Sequence, residues 1–134
     1  MKIFIDTSAF YALLDANDDF HYKAKENFFN LLQEGNNFHC SNYILIETIA
    51  LLQNRLGLEC VRAFKETMLP LMKIHWIDQR IHEIALSNLI VANKDISLVD
   101  YTSFILVREL GLDKVFAFDR HFIQQGFEVL PANF

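Results

Sequence analysis

The chain has 134 residues, 52% of them hydrophobic with 13 Phe, which is the length of a single domain (1–134) and ample material for a core. Its formal charge of −5 argues against a broad basic face for nucleic acid, though not against a local groove lined by Arg or Lys. No apolar run approaches the roughly eighteen residues of a membrane span, and no charged leader precedes the first apolar stretch, so a soluble, cytoplasmic protein is expected. Cys40 and Cys60 lack a CxxC partner or metal-type His spacing and read as reduced core thiols.

Ile3-Phe4-Ile5 is an unbroken apolar run, the pattern of a parallel strand covered on both faces, and it leads directly into Asp6-Thr7-Ser8. A short helix over Ser8 to Leu14 follows, then an acidic loop from Asp15 to Asp19. The spacing of Ala24, Phe28, Leu31 and Leu32 predicts a helix from His21 to Glu34, closed by Gly35. Phe38-His39-Cys40 reads as a second strand, and Ser41 or Asn42 caps a helix that reaches Gly57 and carries Glu47. Glu59 to Leu69 is a helix ended by Pro70, and Lys73-Ile74-His75-Trp76 a third strand.

Asp78 or Gln79 opens the next helix, whose apolar stripe breaks at Asn93-Lys94-Asp95. Ser97-x-x-Asp100 has the form of a capping box, with Gly111 as the stop signal of that helix. Lys114 to Phe118 predicts a fourth strand ending in Asp119, Arg120 to Gln125 a helical turn, and Phe127 to Leu130 a last strand. This alternation implies an α/β fold, a three-layer α/β/α sandwich with a mainly parallel sheet of four to five strands.

Asp6, Glu47, Asp100 and Asp119 stand at strand ends or early in helices. Each has an ordinary explanation: Asp6 and Asp119 as helix caps, Asp100 as a helix-dipole partner, Glu47 on a solvated stripe with Arg55. Together they are harder to dismiss, because strand ends and the helix starts after them share one edge of such a sheet, where ligands bind. Two unit charges about 4 Å apart repel by about 4 kcal/mol at an effective dielectric of 20, so converging carboxylates require protons or a cation. An oxygen-only set with no His or Cys nearby selects a hard ion, Mg2+ or Mn2+, whose natural chemistry is phosphodiester hydrolysis. Thr7 and Ser8 would then take over the capping and free the Asp6 carboxylate.

These stretches carry a family resemblance. Ile3-Phe4-Ile5-Asp6-Thr7-Ser8, Ser41-Asn42-Tyr43 through Glu47-Thr48, Ser97-Leu98-Val99-Asp100-Tyr101-Thr102-Ser103-Phe104 and Phe118-Asp119-Arg120-His121-Phe122 with Gly126-Phe127 resemble, in order, the motifs of PIN-domain proteins of the VapC ribonuclease-toxin type. The resemblance spans nearly the whole chain. It implies Mg2+- or Mn2+-dependent RNA cleavage by an acidic pocket of Asp6, Glu47, Asp100 and Asp119 supported by Thr7, a homodimer, and a small antitoxin protein as partner. Ala117 departs from it, since many relatives carry Thr or Ser two positions before the last Asp.

Two other classes compete. A receiver-like signalling module also gathers acids at a sheet edge but needs a Lys after its last strand, and Phe127-Glu128-Val129-Leu130-Pro131 supplies none. A catalytically weak PIN-fold binding module acting through a protein partner is the second. The histidines form neither HxH nor HExxH, His121 reads as packing or capping, and Trp76 and the Phe residues read as core.

Overall fold

The computed structural model describes residues 1–92, 95–132 and 134. Its strands β1 (Lys2–Ile5), β2 (Asn37–Ser41), β3 (Met72–His75), β4 (Lys114–Phe116) and β5 (Val129–Leu130) form one sheet in the order β3-β2-β1-β4-β5. Every neighbouring pair is parallel, and Phe4 lies opposite His39 on one side and Val115 on the other. Successive strand side chains point to opposite faces, and Ile3, Phe4 and Ile5 are all 0% exposed, so both faces of the sheet are covered.

The cover comes from α1 (Thr7–Leu14), α2 (His21–Gln33), α3 (Asn42–Arg55), α4 (Leu58–Ala63), α5 (Gln79–Val91), α6 (Leu98–Leu110) and α7 (Arg120–Gln124). Right-handed crossovers place the helices between β1 and β3 on one face and those between β3 and β5 on the other. The packing agrees, α1 lying against α2 and α3 and α5 against α6. Phe28 of α2 meets Phe38 and Phe116 over the sheet, and Phe104 of α6 packs edge-on to Phe122 of α7. No helix among the described residues is long and apolar enough to cross a membrane.

The expected α/β/α architecture is present with five strands. Local signals act as read: Ser41 and Asp78 cap α3 and α5, and Gly111 ends α6 in the left-handed conformation at φ 60°, where a Cβ would be strained. Asn93 and Lys94, where the α5 stripe was expected to break, lie outside the described residues, and α5 itself ends at Val91.

Several boundaries differ. β4 stops at Phe116 because the Phe118 N–H donates to Ser8 Oγ (2.9 Å) instead of to a strand, so Asp119 stands beyond the strand rather than at its end. β5 begins only at Val129, since the Phe127 N–H turns back to the Phe122 carbonyl at 3.1 Å. The helix expected over Glu59 to Leu69 is α4 followed by a π-helical turn, Phe64–Met68, and a 3-10 turn that contains Pro70. Trp76 is not core. It follows the end of the edge strand β3 and is 76% exposed, and Phe29, beside the buried Phe28, is 58% exposed.

The sheet order fixes where ligands can approach. From β1 the chain steps towards β2, and from β4 it steps the other way towards β5, so the crossovers diverge between the neighbours β1 and β4. That divergence opens a crevice at the strands' carboxyl ends, where Asp6 leaves β1.

Candidate functional site

Local hydrogen bonds hold Asp6, Asp100 and Asp119 at this edge. Asp6 is buried and caps α1, its Oδ2 accepting from Ser8 N (3.1 Å) and from Ser8 Oγ (2.6 Å). Ser8 Oγ also receives the Phe118 N–H, which ties the exit of β4 to the start of α1. Asp6 therefore keeps its cap, contrary to the expectation that Thr7 and Ser8 would relieve it. Both bonds fall on one oxygen, and the other retains its lone pairs for a ligand.

Asp100 is buried in the first turn of α6 within a complete capping box: Ser97 Oγ accepts the Asp100 N–H at 3.1 Å and Asp100 Oδ2 accepts the Ser97 N–H at 3.4 Å. Asp119 is half-buried and caps α7, its Oδ1 accepting the His121 N–H at 2.9 Å. Glu47 lies in the second turn of α3, half-buried, with the Thr7 side chain near enough to favour its ionised form, although the Thr7 hydroxyl donates to the Ile44 carbonyl at 3.5 Å. Thr7 itself is buried and receives a bond from Thr48 Oγ1 at 3.1 Å. Arg55, two turns further along α3, turns its guanidinium to the Tyr11 ring, 5.4 Å from its centre.

The tightest grouping is Asp100, Asp119 and His121, whose ligand atoms lie within 4.8 Å of one another. His121 Nδ1 is 3.1 Å from Asp119 Oδ1 and 3.5 Å from Asp100 Oδ2. Asp6 and Glu47 stand outside this group, yet both feel the charges of Asp100 and Asp119. A histidine thus lies beside two of the acids, where the sequence led to an oxygen-only set. His121 meets Asp100 only through the fold, and the signal in the sequence was its place two residues after Asp119, at the start of α7.

The electrostatics are those of an acid cluster awaiting a counter-charge. Burial, then the Asp100 and Asp119 charges, pushes Asp6 up to about 7 against the relief of its Ser8 bonds. Burial also raises Glu47, with Asp100 and Asp119 adding to it and the Thr7 side chain opposing. Asp100 is raised by burial and by Asp119, while Ser97 and His121 pull it down. His121 Nδ1 is buried yet has no hydrogen-bond partner among the described residues, the nearby carboxylates being badly aligned for one. The raised carboxylates of Asp6, Glu47 and Asp100, with an orphaned ring nitrogen beside them, fit a divalent cation, which would supply the missing charge and the missing partner together.

Beside Glu47 an apolar hollow of about 480 Å³ is lined by Tyr43, Ile46, Ala50, His82 and Val99, with the Tyr43 hydroxyl 2.6 Å from His82 Nδ1. Ala117, where many PIN-domain relatives were expected to carry a hydroxyl, is fully buried, and Ser8 supplies a hydroxyl to the adjoining Phe118 N–H.

The PIN domain family model matches residues 3–128. The chain is 33% identical over 132 residues to the 23S rRNA-specific endonuclease VapC20 of Mycobacterium tuberculosis, a match covering 96% of this chain and 98% of that one. The crystal structure of Mycobacterium tuberculosis VapC20, described as a Sarcin-Ricin loop cleaving toxin, superposes with a TM-score of 0.81 at 32% identity, over 93% of this chain and 95% of that one. Two further structures share the fold at low identity, each with a TM-score of 0.69. They are FitAcB from Neisseria gonorrhoeae (18% identical, 95% of each chain) and VapBC2 from Rickettsia felis bound to a promoter DNA fragment (13%, 96% and 97%).

Proposed function

The chain belongs to the PIN-domain family, and from that premise we propose that it is a metal-dependent endoribonuclease cleaving RNA phosphodiester bonds, the toxin of a toxin–antitoxin pair. One observation carries the reading. Asp100 and Asp119 come together at the sheet edge where Asp6 leaves β1, Asp6 and Glu47 lie near enough to feel their charges, and the repulsion among the four calls for a cation.

In this reading Asp6, Glu47, Asp100 and Asp119 are the catalytic and metal-holding residues, and Mg2+ or Mn2+ is the cofactor. A bound ion supplies Lewis-acid chemistry, polarising water and neutralising charge on the phosphoryl group in transit. The chain's own part is placement. Ser8 holds the Asp6 carboxylate and the Ser97 N–H holds that of Asp100, so these oxygens are oriented before substrate arrives, and Thr7 stands beside Glu47. The ion also lets an acidic protein receive a polyanion.

The antitoxin is assigned to the hollow beside Glu47, where an apolar segment would cover the 65%-exposed Ile46 and a Lys or Arg at its end would reach the carboxylates. A homodimer would cover part of α5, which leaves Ile84, Leu86, Ile90 and Val91 exposed. Action on cellular RNA and two free thiols suit the cytoplasm.

The test is cleavage of defined RNA by purified protein with Mg2+, Mn2+ or a chelator. Cleavage that needs the ion and disappears in folded Asp6→Asn and Asp100→Asn supports the reading. Cleavage that survives either substitution removes it.

A further inference from the structure

We propose that His121 Nδ1 is a direct ligand of the divalent ion, so that the centre presents a mixed nitrogen and oxygen donor set and prefers Mn2+ to Mg2+. The inference rests on the metal-dependent reading above and adds a residue and a selectivity to it.

Among the five histidines His121 is set apart by its ring. His21 Nδ1 pairs with the Ala12 carbonyl at 2.8 Å, His82 Nδ1 with the Tyr43 hydroxyl at 2.6 Å, and His39 Nδ1 with His75 Nε2 at 2.8 Å. His121 Nδ1 is buried, lacks such a partner among the described residues, and faces two carboxylate oxygens at 3.1 and 3.5 Å. An octahedral ion with ligands at 2.0–2.2 Å sets neighbouring donors about 3 Å apart. The two separations from Nδ1 are close to that spacing and all three ligand atoms lie within 4.8 Å of one another, near enough to share one small cation, whereas the poor alignment of the ring with Asp119 is not that of a hydrogen-bonded pair.

Backbone structure fixes the arrangement. Asp119 caps α7 by accepting the His121 N–H at 2.9 Å, which returns the ring to its own cap residue, while the capping box of α6 brings Asp100 to the same point. Ligation needs the lone pair on Nδ1 and the proton on Nε2. An imidazole nitrogen suits Mn2+ and the later first-row ions, whereas Mg2+ prefers oxygen throughout.

The competing role is that of a protonated counter-ion to Asp100 and Asp119, which places a proton where the ion would bond. Pulsed electron paramagnetic resonance on full-length, metal-stripped protein loaded with Mn2+ separates the two. Direct ligation predicts a nitrogen coupling to Mn2+ that changes on 15N-histidine labelling and vanishes in His121→Gln. It also predicts Mn2+ binding weakened by about tenfold or more in that variant, with Mg2+ binding, read by competition, much less affected. His121→Asp, which exchanges nitrogen for oxygen, is expected to keep Mg2+ binding without the nitrogen signal, so a folding defect in the Gln variant does not leave the matter open.

Mn2+ bound to wild type without histidine coupling, and with unchanged affinity in His121→Gln, overturns the inference while metal binding that is lost in Asp100→Asn keeps the wider reading intact. Failure of wild type to bind Mn2+ at all overturns both.

Discussion

Two clusters of buried titratable groups at this sheet, the His39–His75 pair and the acids around Asp6, are built on opposite plans. Between β2 and β3, His39 (6% exposed) stacks on His75 with ring planes 10° apart and shares a 2.8 Å nitrogen–nitrogen hydrogen bond. Burial holds both rings below the usual imidazole range, with neighbouring positive charges adding to it, so the pair is neutral and satisfies itself. Between β1 and β4, Asp6 (3% exposed) lies among like charges, Asp100 and Glu47 are also raised, and a ring nitrogen goes unbonded. Burial alone thus marks no site. A buried polar group whose partners are missing marks one, because the protein has borne the cost of desolvation without completing the interaction.

The widest separation between the two places should appear in catalysis. Asp100→Asn is expected to lower RNA cleavage by about 100-fold or more, the scale of losing a group that organises the charge of a transition state. His75→Gln, at the self-contained pair, is expected to leave the rate within about twofold once the fold is intact, on the usual independence of distant sites. Equal losses would erase the comparison.

Stability should depend on pH with opposite sign at the two places. For protein stripped of divalent ions, Asp6 binds its proton more tightly folded than unfolded, between its ordinary value of 3.8 and about 7. The stability associated with the protonated form is complete below about 3.8 and is lost as pH rises through about 7, a penalty of up to about 4 kcal/mol for the ionised group. Asp6→Asn should therefore melt above wild type at pH 8 in chelator, by several degrees, and lose that advantage at pH 4. His39 and His75 bind protons less tightly folded than unfolded, so their contribution is lost as pH falls below 6.5. His75→Gln should flatten that acid-side slope. Thermal melts across pH check both, and a shared sign would contradict the contrast.

A smaller effect tests the edge of the same sheet. Trp76, exposed beyond β3, should tolerate Ser with a change below about 0.5 kcal/mol in chemical denaturation, while Phe104→Ala in the core should cost about 3–5 kcal/mol.

What could be read from the chain divides along the same line between local and long-range physics. The apolar run of β1, the caps at Ser41 and Asp78, the Ser97–Asp100 box and the stop at Gly111 are local signals, and the structure contains them all. Strand lengths at β4 and β5 were not legible, because they end where a distant Ser8 or Phe122 captures a backbone N–H. Trp76 misled for a related reason, since an edge strand offers cover on fewer sides than a central one. The acids could be grouped by the rule that strand ends share an edge; for His121 the chain offered only its place two residues after Asp119, since Asp100 lies on another helix and only the fold brings it within 3.5 Å.

The central claim is that the cluster between β1 and β4 is completed by a cation, and calorimetric titration of metal-stripped protein with Mn2+ tests it most directly. The account predicts saturable binding in wild type, the same binding in His75→Gln, and none in Asp100→Asn. No binding in wild type, or undiminished binding in Asp100→Asn, would contradict it.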